Sequence, residues 1–289
     1  MITSLRMGDA SAINLTEDKM NNKKKIRGLI PLLIITVLLV VLFRIAFNDG
    51  LCVREYTLDS PFSNEEHTYV LITDLHSTLY GAGQSELIAE IDAASPEAVF
   101  LVGDIGEDRR DFDNTGILIE ALVERYPCYY VPGNHECWVD YADDIHELFE
   151  SYGVTVMSEQ TIELGDGIVL HGIDDPNFYE TKEEFIRELY SFRVSEDKFD
   201  ILLSHRPEYA EQYAEVGFDL TLCGHAHGGQ VIIPHLINGL YAPHQGFFPK
   251  WAGGEYDLDG ARVIVSRGLM RNELPRVFNP PELVVITVK

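Results

Sequence analysis

The sequence predicts an α/β domain carried behind one N-terminal helix of membrane length. Three observations predict it. Short apolar runs alternate with amphipathic stretches from His67 onward, residues 28–47 are apolar except at Thr36 and Arg44, and the charge divides unevenly between the two parts. The net charge of −25 comes from 22 Lys and Arg against 47 Asp and Glu. Residues 1–47 hold seven basic and three acidic side chains, a balance of +4; residues 48–289 hold the other 15 and 44, a balance of −29. Such an acidic body argues against a nucleic-acid partner, because neutralising phosphates takes clustered Lys and Arg. Four cysteines in 289 residues are too few for a disulfide scaffold.

The N-terminal piece comes first. Residues 1–27 form a basic tail, and residues 1–22 are polar enough to be expected disordered. Twenty helical residues, 28–47, rise about 30 Å, the thickness of a bilayer's hydrocarbon core. Pro31 is expected in the first turn, where its missing N–H costs little, and Arg44 near an interface it can reach. Lys23, Lys24, Lys25 and Arg27 precede the segment directly. The positive-inside rule therefore puts the N-terminus in the cytoplasm and the body outside, as a single-pass protein of the cell membrane. A cleaved signal peptide would have about 7–15 apolar residues and a small-x-small site. Residues 48–54 read Asn-Asp-Gly-Leu-Cys-Val-Arg and offer none, so a retained anchor is expected.

Residues 48–65 are a linker and first strand region, and residues 66–289 make one domain. Strands are expected at 69–72, 98–102 and 129–131, each followed by a helical period at 85–94, 116–125 and 141–152. Later strands are expected at 168–171, 201–203, 220–223, 231–233, 262–265 and 283–288. The first half is βαβα and the second is richer in strands, which suggests sheet layers between helices.

In open α/β sheets, ligands bind beyond the carboxyl ends of strands. Those ends carry Asp74-x-His76, Gly103-Asp104, Gly133-Asn134-His135-Glu136, His205-Arg206 and Gly224-His225-x-His227-Gly228-Gly229. Carboxylates, imidazoles and an amide oxygen suit divalent ions such as Mn, Fe, Zn or Mg. Alternate residues of an extended segment point the same way, so Asp74-x-His76 and His225-x-His227 are each expected to aim at one place. Glycines at 103, 133, 224, 228 and 229 allow sharp turns and close approach.

Singly these pieces are weak, but in this order and at these strand ends the chain resembles the calcineurin-like metallophosphoesterases over about residues 66–289. Within that superfamily it resembles the membrane-anchored bacterial phosphodiesterases, through the preceding apolar segment, Gly172-Ile173-Asp174-Asp175, Gly-His-Ala-His-Gly-Gly-Gln and Asn279-Pro280-Pro281-Glu282-Leu283. The resemblance implies a four-layer sandwich, two mixed β-sheets flanked by helices. It implies two divalent metals, one held by Asp74, His76, Asp104 and His227, the other by Asp104, Asn134, His205 and His225. It also implies hydrolysis of a phosphodiester or pyrophosphate by hydroxide held between the metals, with His135 near the leaving group as proton donor.

Other residues carry less. Arg206 is read as pairing with a surface carboxylate or a phosphate oxygen, and His244 as a possible substrate contact. Asp174 and Asp175 precede Pro176 and read as a turn, or as a substrate-side pair. His67, His146, His171 and His235 are read as local polar partners. Glu107, where the wider family often has Asp, is read as structural. Cys128 and Cys137 flank the Gly-Asn-His loop, and a disulfide between them is open. The aromatic stretch 236–254 is read as a loop packed on the core or as a substrate lip touching lipid. The expected substrate is a small phosphoester or a lipid-linked phosphate. Rival readings are a phosphomonoesterase or phosphoprotein phosphatase, and a catalytically idle metal-binding module.

Overall fold

The computed structural model describes residues 8–63, 65–106, 112–138, 144–271 and 276–289. By internal contacts the chain divides into two units, Met1–Ala46 and Phe47–Lys289. The first contains α1 (Gly8–Ala46). Within it Leu29–Ala46, of mean hydropathy 2.8, is long and apolar enough to cross a membrane. Two expectations are corrected here. The segment expected to be disordered is helical from Gly8 onward, because Ala, Leu, Met, Glu and Lys there favour helix and extending an existing helix needs no new nucleus. Pro31 consequently lies inside the helix, where it cannot donate to the Arg27 carbonyl.

The second unit runs β1 (Cys52–Leu58), β2 (His67–Ile72), α2 (Ser85–Ala94), β3 (Ala98–Val102), α3 (Asp113–Val123), β4 (Cys128–Val131), α4 (Ile145–Ser151) and β5 (Thr155–Val156). It continues with β6 (Gln160–Gly165), β7 (Ile168–Gly172), α5 (Lys182–Leu189), β8 (Phe199–Leu203), α6 (Ala210–Val216) and β9 (Leu220–Cys223). The last part holds β10 (Tyr241–Ala242), β11 (Gly246–Phe247), β12 (Gly254–Leu258), β13 (Ala261–Val265) and β14 (Glu282–Val288). One sheet has the order β1-β14-β2-β3-β4-β5 and the other β12-β13-β9-β8-β7-β6. Both are mixed: β2, β3 and β4 are parallel beside antiparallel β14, and β7, β8, β9 and β13 are parallel between antiparallel β6 and β12.

Side chains alternate across each strand, and both faces of each sheet are covered. Leu71 and Phe100 face inward onto Leu170, Ile201 and Leu222 of the other sheet. Val70, Ile72 and Leu101 face outward onto Leu87 and Ile91 of α2 and Leu118 of α3. Leu202, Val263 and Val265 pack outward on Phe185 of α5 and Tyr213 of α6. The result is a four-layer sandwich of helices, sheet, sheet and helices.

The predicted strand at 231–233 does not form. Only isolated bridges, Val231 to Val277 and Ile233 to Ile237, occur there, between Gln230 at φ 62° and Pro234. Cys128 and Cys137 are not joined: their sulfurs face the Tyr126 and Asn177 carbonyls at 3.4 and 3.2 Å.

Candidate metal centre

Loops leaving the carboxyl ends of β2, β3, β4, β8 and β9 meet at one place. Asp74, His76, Asp104 and His227 each bring a donor atom within 4.8 Å of the others. Asp104, His205 and His225 form a second such group, and every member of both is buried. Asp104 belongs to both. Asn134 is buried on the adjoining loop, whose His135 N–H donates to Asp104 Oδ1 at 2.9 Å.

Extended alternation does not aim these side chains. Asp74, His76, Asp104, His225 and His227 all hold positive φ, between 47° and 65°. The backbone turns sharply at each, at about 1–2 kcal/mol per residue, and such strain persists only where the surroundings over-determine it. The chain makes this turn because Asp74 and His76 N–H donate to the Gly103 and Asp104 carbonyls, each at 3.0 Å. Glycine makes room for it. A Cβ on Gly133 would collide with Asp104 Oδ1, and one on Gly224 or Gly268 with the Asp74 carboxylate. Gly268 was not marked by the sequence motifs.

Glu136 is the other residue the motifs did not assign. Its buried carboxylate accepts N–H bonds from Asp104 at 2.8 Å, Ile105 at 2.7 Å, Gly106 at 3.0 Å and Gly133 at 2.8 Å. It ties the loops after β3 and β4 together. Burial and the Asp104 charge raise its pKa, against the stabilising N–H groups of Gly106 and Gly133. The signal was its place two residues after Asn134 in the Gly-Asn-His-Glu loop.

The donor set fits a divalent cation. His76 Nε2 lies 3.7 Å from Asp104 Oδ2, and His227 Nε2 lies 3.8 Å from Asp74 Oδ1. Such gaps are too long for hydrogen bonds but suit two donors placed about 2.1 Å from one ion. Asn134 Oδ1, His225 Nδ1 and His227 Nδ1 are buried and accept no hydrogen bond. His205 Nδ1 donates to the Val102 carbonyl at 2.9 Å, which turns its Nε2 to the cluster, 3.1 Å from Asp104 Oδ2. Burial pushes the His205 pKa down, but Asp104 and Asp74 outweigh it and raise it to about 10, so a cation bound there would have to displace the Nε2 proton. Burial, the Arg206 charge and His205 hold His225 well below its ordinary pKa. His227 is pushed down to about 4 by burial, with His76 and Arg276 adding to it against Asp74. Both rings are therefore neutral, as ligands must be.

Arg206 is not a surface residue. It is buried, and its guanidinium is held bidentately by Asp175, with Nη2 3.0 Å from Asp175 Oδ1. Its Nη1 reaches Glu208 Oε1 at 3.1 Å, His244 Nδ1 at 2.7 Å and His225 Nε2 at 3.3 Å. Glu208, His225 and His244 are themselves close enough to hold a cation, and the guanidinium already supplies that charge. Asp175 also accepts from Asn177 N–H, so it both makes the expected turn and anchors Arg206. A cavity of about 710 Å³ with mixed polar and apolar walls opens beside this group, lined by Arg206, His244, Trp138, Tyr179 and Lys182.

His135 is half-buried, its ring 4.5 Å from that of His76 and 4.7 Å from that of Trp138. His67, His146 and His171 pair with Glu97 and Asp166, with Asp174, and with Asp200, away from the cluster. Glu107 lies outside the described residues.

The fold and its donor set are those of a metal-dependent phosphoesterase. The model of the calcineurin-like phosphoesterase family matches residues 67–229, more than half of the chain, which therefore belongs to that family. An uncharacterised metallophosphoesterase of Campylobacter jejuni is 29% identical over 263 residues, covering 88% of this chain and 68% of that one. A phosphodiesterase of Escherichia coli is 28% identical, covering 64% of this chain and 67% of its own length. A transmembrane protein with metallophosphoesterase domain from Bos taurus is 25% identical, covering 60% of this chain and 44% of its own length.

Proposed function

We propose that this chain is a membrane-anchored phosphodiesterase working with a dinuclear metal centre, its catalytic domain outside the cytoplasm. The observation that carries this reading is the pair of buried donor groups sharing Asp104. Asp74, His76 and His227 would hold one cation, Asn134, His205 and His225 the other, and Asp104 both. Bound there, the cations would offset phosphoryl charge and lower the pKa of the attacking water.

The chain's own residues do the rest. Glu136 fixes the backbone at Asp104 and at Gly133, the residue before Asn134. Arg206 and His244 border the cavity that takes the group beyond the phosphate. His135, beside His76, protonates the leaving alkoxide. The diester preference and the anchor also draw on the likeness to the Escherichia coli phosphodiesterase and the Bos taurus transmembrane protein. The basic run Lys23–Arg27 before the apolar segment supports a cytoplasmic N-terminus.

The test is metal analysis of the purified chain with parallel assays on bis-p-nitrophenyl and mono-p-nitrophenyl phosphate. Activity that follows metal content and favours the diester is expected. Equal hydrolysis after metal removal overturns the metal mechanism, and preference for the monoester overturns the diester assignment. His135→Ala should slow an alkyl diester by about 10²-fold, with little effect on the activated aryl diester. Equal effects on both would remove His135 as the proton donor.

A further inference from the structure

Beyond the metal loops, residues 233–248 build a small apolar prominence from two turns. Ile233 pairs with Ile237, and Tyr241–Ala242 with Gly246–Phe247. Leu236, Phe247 and Phe248 are 82%, 71% and 65% exposed, and Ile233 and Tyr241 are exposed beside them. The Tyr241 and Phe247 rings meet at 5.4 Å across the hairpin. At its base Leu240 N–H donates to the Gly229 carbonyl, two residues past His227, and His244 at its turn touches Arg206 and His225. The prominence is thus part of the rim of the metal site. Leu79 and Trp138, on loops leaving β2 and β4 at the same end, are exposed as well. Among the described residues from Leu79 onward, the other large hydrophobic residues this exposed are Ile117 and Tyr190.

Two further observations say what covers it. The first is charge. Residues 220–254 contain no Asp or Glu in 35 positions, although residues 48–289 contain 44. Its one Lys or Arg, Lys250, is itself paired with Glu211, so the stretch is close to neutral and is the part of an acidic domain that an anionic surface would repel least. The second is connectivity. β1 is parallel to β14 with Cys52 opposite Glu282, and β14 is antiparallel to β2 with Val284 opposite Leu71. The start of β1 therefore lies at the end of the sheet where β2 finishes and the metal loops begin. Five residues, 47–51, separate that point from the end of α1.

We propose that residues 233–248 seat on a bilayer surface, so that the metal site opens toward the membrane and takes a phosphoester carried on a lipid. The proposal rests on the anchoring reading above and names the substrate class of the same site. Aromatic side chains beside an aliphatic tip are the composition that settles at the bilayer interface. A site on the membrane-facing end can receive a headgroup phosphate without lifting the lipid out of the bilayer.

The test uses the full chain reconstituted in vesicles of phosphatidylcholine and phosphatidylglycerol, with or without brominated acyl chains. Phe247→Trp adds an emitter whose fluorescence, beyond that of Trp138 and Trp251, should be quenched by the brominated lipid. Quenching of the added emission by aqueous iodide but not by bromolipid overturns the proposal, as does contact with a second copy or another protein instead. A second arm compares bis-p-nitrophenyl phosphate in solution with dioleoylphosphatidyl-p-nitrophenol in the vesicles, probes sharing one leaving group. Phe247→Ser with Phe248→Ser should lower hydrolysis of the lipid probe about tenfold and leave the soluble probe unchanged. Equal loss on both, or loss on neither, overturns the substrate assignment. Should the unsubstituted chain cleave neither probe, the phosphodiesterase reading fails, while the quenching result still decides the membrane seat.

Discussion

The two sheets supply chemically different halves of the metal centre and hold them in different ways. The loops of the β2-β3-β4 sheet bring Asp74, Asp104 and Asn134, oxygen donors, with His76 the exception. The loops of the β8-β9 side bring imidazoles only, His205, His225 and His227. A buried anion, Glu136, organises the first half by accepting four backbone N–H groups. A buried cation, Arg206, organises the second, and it works through side chains: Asp175, His225 and His244. The difference teaches that the oxygen half is fixed as backbone shape, whereas the imidazole half is tuned as a set of rings. Losing the anion should therefore displace ligands, and losing the cation should shift how one ligand binds.

The largest effect should come from the residue common to both halves. Asp104→Ala is expected to lose bound metal and about 10³-fold in activity, read by metal analysis and turnover. Next, Glu136→Ala leaves four buried N–H groups without an acceptor, so stability should fall by about 3 kcal/mol and metal affinity by about 100-fold. Glu136→Gln retains one acceptor oxygen and should fall between. Denaturant unfolding and metal titration check both. A smaller loss, about tenfold in metal affinity, is expected for Arg206→Met, with the Asp104 half still occupied. Equal losses for Glu136→Ala and Arg206→Met would break the contrast between the halves.

The smallest effect concerns the far end, where His67 on β2 joins Glu97 at 2.8 Å and Asp166, in the turn between β6 and β7, at 3.1 Å. Burial lowers the His67 pKa, but the hydrogen bonds to the two carboxylates outweigh it and the net shift is upward. The stabilisation is then fully present below about pH 6.5, the unfolded value, and is lost as pH rises through the folded one. His67→Gln should lower stability by at most about 1 kcal/mol, roughly 2–4 °C in Tm, at pH 6. That gap should close as the pH is raised. A gap that widens instead would show that the tie does not depend on the imidazolium.

Buried strands were legible because both of their faces are covered, so 98–102 and 201–203 read as unbroken apolar runs. Edge strands were less so. β6 and β12 alternate half-exposed with exposed positions, and β1, with Arg54 and Glu55 in its middle, was expected only as a strand region within 48–65. The short amphipathic helices α5 and α6 gave too few turns to establish a period. The donor residues themselves were legible from residue type and position at strand ends. Their backbone conformation was not, since nothing in Asp74-x-His76 announces two positive φ values. Arg206 misled for a related reason: burial of its guanidinium depends on Asp175, which lies 31 positions earlier in the chain.

The place of β14 between β1 and β2 has a consequence for timing. Ribosomes make β1 and β2 first and β14 after every other strand, yet sheet order requires β14 to separate them. Until residues 282–288 arrive, β1 has no partner and one edge of β2 stays open. The loop bearing His227 waits as well, because Asn279 Nδ2 donates to the His227 carbonyl at 2.8 Å. A product cut short before that point would carry every donor residue and still lack the brace that orders one of them. The last residues made are therefore among those on which the metal centre depends.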